Sequence, residues 1–122
     1  MPRDHLQELT TKLTASVQEF HERFGLMGPP TQEELLSRIP IQEEEVRELH
    51  QAILHETPER IASEATDVLY VAIGTLVSLD QDLVAHALAE VIKKNKAKTW
   101  QTHHINEAGK VVRRPESTET YA

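Results

Sequence analysis

Glu44-Glu45-Val46-Arg47-Glu48, followed after fifteen residues by Glu64-Ala65-Thr66-Asp67, is the stretch that decides the fold. Both pieces are acidic, yet each lies among apolar residues that recur every three or four positions, the pattern of an amphipathic helix. Placing residues at about 100° steps makes the anomaly visible. Val46, Leu49 and Ile53 form the apolar centre of one helix, and Glu45 falls between Leu49 and Ala52, inside that sector. Glu48 lies one step outside Ala52, Glu44 borders it, and Glu43 and Arg47 face the other way. On the next helix Ile61, Ala65, Val68, Leu69, Ala72, Ile73 and Leu76 define the core face. There Glu64 falls between Val68 and Val71, with Asp67 beside it.

The chain's punctuation extends this pattern in both directions. Thr57-Pro58 is a stop-and-restart signal, with threonine at an N-cap and proline at the first helical position. It separates a helix over about Ile41 to Glu56 from one over about Pro58 to Leu79. Upstream, Leu6, Leu9, Leu13, Val17, Phe20 and Phe24 form one stripe on a helix that Gly25 ends. Thr31 and Glu34 make a capping box for a short helical turn, which Pro40 ends or kinks. Downstream, Asp80 caps a helix that closes near Lys98 or Trp100. Short connections make neighbouring helices antiparallel, so the expectation is an all-α, four-to-five-helix antiparallel bundle over residues 1–100, completed by oligomerisation. Residues 101–122 read as a loose polar tail.

Composition narrows the function classes. At 122 residues the chain is one domain, and with 13 basic against 20 acidic residues its net charge is −7. That balance argues against a nucleic-acid partner held by a basic surface. No cysteine is present, which removes disulfides, thiolate metal sites and cysteine nucleophiles. The expectation is a cytoplasmic protein with no membrane partner: no apolar run approaches a span of about 18–20 residues, and no signal-peptide core follows Met1.

Two antiparallel helices thus each present two inward-leaning carboxylates spaced i, i+3. Gathering Glu45, Glu48, Glu64 and Asp67 inside a bundle is unfavourable unless a cation sits among them. Oxygen-only ligands suit Mg²⁺ or Mn²⁺. The plainer alternative is a set of solvated helix faces in an acid-rich chain. A di-iron centre would need Glu-x-x-His pairs, and none of the seven histidines has a glutamate three residues before it. On the last helix the stripe of Val84, Leu88 and Val91 continues onto Asn95 and Lys98, an inward amide and ammonium suited to phosphate oxygens. Compensation of the helix C-terminus accounts equally well for the lysine. Divalent metal on one side and lysine on the other together fit attack of water on a phosphoanhydride.

These residues resemble the Glu-x-x-Glu…Glu-x-x-Asp signature of the MazG-like all-α nucleoside triphosphate pyrophosphohydrolases, related to phosphoribosyl-ATP pyrophosphohydrolase and dimeric dUTPases. Asn95-Lys96-Ala97-Lys98 is similar to that group's Asn-x-x-Lys, with Lys94-Asn95 standing where relatives often carry Ser-Asn. Val17 to Phe24 is similar to its first helix, and Glu107-Ala108-Gly109-Lys110 to its tail. The resemblance implies a nucleoside triphosphate substrate cut between the α and β phosphates, giving monophosphate and pyrophosphate. It implies Mg²⁺ (or Mn²⁺) on Glu45, Glu48, Glu64 and Asp67, and Glu44 activating water or touching a second ion. It further implies phosphate held by Asn95 and Lys98, and a homodimer or homotetramer clearing unwanted nucleotides. The alternatives are phosphoribosyl-ATP as substrate, or a non-catalytic acidic bundle that binds a partner protein.

The remaining residues have two readings each. His103-His104 is either a metal pair or a bystander in the tail. His21 and Gln18 either face a base or lie on the surface. Trp100 stacks on a base or anchors the tail. Arg113 and Arg114 either reach the leaving pyrophosphate or are solvated. Tyr70, opposite the core face of its helix, is expected at a subunit interface.

Overall fold

The computed structural model describes residues 3–115; Met1, Pro2 and residues 116–122, the end of the expected tail, lie outside them. Among the described residues the elements are α1 (Arg3–Arg23), α2 (Gln32–His55), α3 (Pro58–Ser78), α4 (Gln81–Lys96), β1 (His103–Ile105) and β2 (Val111–Arg113). The protein is an all-α bundle with a small hairpin appended. It divides into two compact units, Met1–Val84 and Ala85–Ala122.

In the first unit α1 and α2 both pack on α3. The helix ends follow from local chemistry. Gly25, at a φ of 68°, turns the chain so that its N–H bonds Glu22 O at 3.2 Å and the Leu26 N–H bonds His21 O at 2.7 Å. Thr31 Oγ1 accepts from the Glu34 N–H while Glu34 Oε1 accepts from the Thr31 N–H, a complete capping box. Thr57 caps α3 through the Arg60 N–H, with Pro58 in the first turn. Asp80 Oδ1 accepts from the Asp82 and Leu83 N–H groups at the start of α4.

Pro40 neither ends nor separates a helix, contrary to the expectation from sequence: α2 runs through it without interruption. The tolerance has a physical reason in the side chains on either side. Arg38 donates from Nε to Thr75 Oγ1 at 2.7 Å and from Nη2 to Val71 O at 2.8 Å, and Gln42 Nε2 donates to Val68 O at 3.2 Å. Both halves of α2 are thereby pinned to α3, offsetting the backbone bond that proline removes.

The apolar core of the single chain is thin. Val17, Ala52 and Val84 are its buried hydrophobic residues, while Phe20, Val46, Ile53 and Leu69 remain exposed. Tyr70 is not left opposite the packed face as expected; it meets Phe20 of α1 edge-on at 6.0 Å. The expectation that no segment reaches membrane-span length also needs correcting. By length and composition alone α3 passes that test, with a window of mean hydropathy 1.3. In this fold it is the helix against which α1 and α2 pack, and it carries Arg60, Glu64 and Asp67.

In the second unit α4 ends at Lys96, two residues short of Lys98. The Lys98 N–H bonds Asn95 O at 3.2 Å, and the chain then turns around Thr99, whose carbonyl accepts from the N–H groups of Thr102 and His103. The described part of the expected loose tail is a β-hairpin, with His103 opposite Arg113 and Ile105 opposite Val111. Its turn is built by Asn106, whose Oδ1 accepts from the Ala108 and Lys110 N–H groups, and by Gly109 at a φ of 83°.

Candidate metal centre

Facing turns of α2 and α3 bring Glu45, Glu48 and Glu64 together, with one carboxylate oxygen of each within 4.8 Å of the others. Their exposures differ in a useful way. Glu64 is buried, at 6% exposure, Glu45 is half-buried, and Glu48 is open to solvent. Such a set has a floor, a wall and an open side, as a cation that keeps some water would need.

The electrostatics carry the same message. Burial pushes the Glu45 carboxyl above its ordinary value, and the charges of Glu48, Asp67, Glu44 and Glu64 push it further the same way. Burial raises Glu64 too, opposed by Arg60 and reinforced by a hydrogen bond with Asp67 and by the charges of Glu48 and Asp67. Asp67 is therefore electrically part of the cluster, although it is exposed and its oxygens lie outside the closely spaced trio. Arg60 is the one cation paired with these acids among the described residues. Its Nη2 meets Glu64 Oε2 at 2.5 Å, and its Nε meets Glu56 Oε1 at 3.2 Å. A single guanidinium against five coupled carboxylates leaves a clear excess of negative charge, so the donor set fits a hard divalent cation.

These acids border an open cleft lined by Glu44, Arg47, Glu48, His50, Gln51, Glu56, Arg60 and Glu64. Glu44 stands on its rim and adds its charge to Glu45. Glu44, Glu45, Glu48, Glu64 and Asp67 are thus gathered in one place in the first unit. Asn95 and Lys98 belong to the second unit, where both line a separate pocket with Thr99, Trp100, His103, His104, Ile105 and Val111. Asn95 Nδ2 donates to Val91 O at 2.9 Å. His103 Nδ1 is bonded to Thr102 Oγ1 at 2.7 Å, and Arg114 Nε donates to the Trp100 carbonyl at 2.6 Å.

One cluster that sequence reasoning did not assemble lies where three helices converge. His21, at 3% exposure, sits with Arg38 against Gly74; a Cβ on Gly74 would stand 2.7 Å from His21 Nε2 and 2.7 Å from Arg38 Nη2. Burial and the Arg38 charge hold the His21 imidazole below its ordinary value, against a smaller opposing contribution from its backbone contact with Leu26. Its Nδ1 is buried without a hydrogen-bond partner among the described residues. The available signal was Gly74, the one glycine between Thr31 and Ala108, set in the apolar second half of its helix.

Residues 17–95 match the model of the phosphoribosyl-ATP pyrophosphohydrolase family. The matched segment contains both acidic motifs and the His21, Arg38 and Gly74 cluster. No curated protein and no solved structure matches the chain.

Proposed function

The chain belongs to the phosphoribosyl-ATP pyrophosphohydrolase family, and from that premise we propose that it is a Mg²⁺-dependent nucleoside triphosphate pyrophosphohydrolase, with Mn²⁺ as an alternative ion. The observation that carries this is the coupled set of Glu45, Glu48 and Glu64, one member of it buried and, among the described residues, one guanidinium paired with it. Water adds to the α-phosphorus, the bond from that phosphorus to the oxygen bridging to the β-phosphorus breaks, and nucleoside monophosphate and pyrophosphate leave.

Glu45, Glu48 and Glu64, with Asp67 beside them, are the residues that would hold the metal. When bound, the ion neutralises phosphate charge against these acids and polarises the phosphoanhydride. Glu44, which lines the cleft and lies close enough to Glu45 to add its charge there, positions the attacking water and takes its proton. Arg60 holds Glu64 in place and would release it to a bound cation. Asn95 and Lys98 donate to phosphate oxygens. Homodimers or homotetramers cover the apolar side chains that the single chain leaves exposed, and the role is clearing surplus or non-standard nucleotides in the cytoplasm.

A second reading keeps the same chemistry with phosphoribosyl-ATP as the substrate, favoured by the name of the matching family. The test is pyrophosphate release from a panel of NTPs, dNTPs and phosphoribosyl-ATP, with Mg²⁺, with Mn²⁺ and with chelator. Metal-dependent release from any triphosphate supports the proposal. Release from phosphoribosyl-ATP alone moves the assignment to the second reading. Silence across the whole panel leaves the acids as a docking face for a protein partner and overturns both.

A further inference from the structure

The open cleft beside the metal centre has a direction. Gln42 Nε2 bonds Val68 O across α2 and α3, which fixes how the two helices lie against each other. From the link at Glu56-Thr57, α3 runs back along α2. Eight residues further on α2 and eight earlier on α3, His50 and Arg60 are therefore level. By the same register Glu44 is level with Thr66, six residues along α2 from His50, or about 9 Å at the rise of an α-helix. Glu45, Glu48 and Glu64 fall between these two levels. Of the residues lining the cleft, Glu44 thus lies at one end, and Arg60, His50 and Gln51 lie toward the other. The acid at that second end, Glu56, is already bonded to Arg60.

Arg60 has two holds of different kinds. Its Nη2 meets Glu64 Oε2 at 2.5 Å, and the Glu64 side chain is 8% exposed and belongs to the trio of closely spaced acids. Its Nε meets Glu56 Oε1 at 3.2 Å, and Glu56 is 39% exposed and lies outside that trio. A cation on Glu64 would displace the first hold and leave the second. The guanidinium would then stay tethered at Nε while its terminal N–H groups face the cleft with no carboxylate on them. Such a planar fork suits the paired oxygens of a phosphate. The Arg60 side chain is 54% exposed, so neighbouring side chains leave it room to turn.

The direction of the cleft says which phosphate this is. Displacement at phosphorus places the attacking and leaving oxygens roughly in line, on opposite sides of the reacting centre. With Glu44 positioning the water at one end, the leaving group points to the other, where Arg60 stands. We propose that Arg60 is a two-position residue: it rests on Glu64 while no cation is bound, and it holds the oxygens of the leaving pyrophosphate once Glu64 is taken. Its charge then meets the charge that develops on the departing oxygen. Glu56 is the tether that keeps it at the cleft between the two positions. This inference rests on the pyrophosphohydrolase proposal and names the group that receives that reaction's leaving pyrophosphate.

The experiment is calorimetric titration of the full chain with two probes, Mg²⁺ alone and inorganic pyrophosphate in saturating Mg²⁺. Arg60→Gln should bind Mg²⁺ at least about threefold more tightly, because no guanidinium competes for Glu64. The same variant should bind pyrophosphate about tenfold more weakly, the scale of a lost hydrogen bond between charged groups. Opposite signs mark the two-position residue; an ion pair that only supports the fold would weaken both or neither. Arg60→Lys keeps a cation for Glu64, and with it the apo contact, but loses the fork. It should fall between wild type and Arg60→Gln in both titrations. An Arg60→Gln chain that binds pyrophosphate as tightly as wild type overturns the inference, as does one whose two affinities fall together. Either result, beside metal-dependent pyrophosphate release by wild type, sinks this inference alone. The predicted split of affinities with no pyrophosphate released from any triphosphate or from phosphoribosyl-ATP sinks the catalytic proposal instead.

Discussion

Gly74→Ala tests the three-helix junction, and the outcome turns on a competition between two terms of known size. In a helix interior alanine is better than glycine by about 1 kcal/mol, so an open site would gain stability. Here the added methyl would stand 2.7 Å from His21 Nε2, 2.7 Å from Arg38 Nη2 and 3.2 Å from His21 Cε1. The Arg38 terminus can swing aside only by giving up its 2.8 Å bond to Val71 O, a loss of about 1.5 kcal/mol for a charged donor. The imidazole is buried on α1 and cannot turn away without shifting that helix, which adds about 2 kcal/mol of overpacking. The sum is a net destabilisation of about 2.5 kcal/mol, or a fall in Tm of about 10 °C at about 4 °C per kcal/mol. Thermal and urea unfolding followed by circular dichroism would measure it. The decisive control is the pair with His21→Ala: with the ring gone, Gly74→Ala should lose at least half its cost. An unchanged or raised Tm for Gly74→Ala alone, or full additivity with His21→Ala, would refute the proposed packing.

Three further predictions concern other parts of the chain. The His21 imidazole is held below its ordinary value, so its share of stability is complete above pH 6.5 and declines as pH falls through its lower folded value. Wild type should therefore lose Tm more steeply than His21→Gln between pH 7 and pH 5; equal slopes would contradict this. Thr57→Ala removes the α3 cap and should cost about 1 kcal/mol in urea unfolding, with no effect if the cap is immaterial. Arg60→Gln removes the guanidinium on Glu64, so it should lower Tm in chelator and enlarge the rise in Tm on adding Mg²⁺. A smaller Mg²⁺ response than wild type would show that Arg60 and the metal do not share Glu64.

The sequence pattern carried the helices well because each boundary has its own local chemistry: the Thr31–Glu34 box, Gly25, Thr57-Pro58 and Asp80 all work within a few residues. Glu45 and Glu64 were legible for a related reason, since a carboxylate at an apolar position of a periodic stripe is visible without a partner helix. Their closeness in space follows from the two-residue link at Glu56-Thr57, which folds α2 back along α3. Contacts made by more than one element were harder to see. Pro40 looked like a breaker because its support, Arg38 to Thr75 and Val71 and Gln42 to Val68, comes from α3, more than 25 residues on. His21 was left between facing a base and lying on the surface because its neighbours Arg38 and Gly74 lie on two other helices. The hairpin was hidden by strands of three residues, too short to show alternation, although Asn106 and Gly109 mark its turn.

The most direct test of the central claim sets wild type beside Glu45→Gln. Pyrophosphate and orthophosphate released from triphosphates would both be assayed as Mg²⁺ is titrated and then chelated. The account predicts Mg²⁺-dependent release of pyrophosphate, and not orthophosphate, by wild type. Glu45→Gln should be slower by at least about a hundredfold, as expected when several kcal/mol of metal-borne charge stabilisation is lost. The same variant should melt no lower than wild type in chelator, because the substitution removes a carboxylate that its neighbours repel. Glu45→Gln turning over triphosphate at the wild-type rate with the same Mg²⁺ dependence would contradict the assignment of the metal centre.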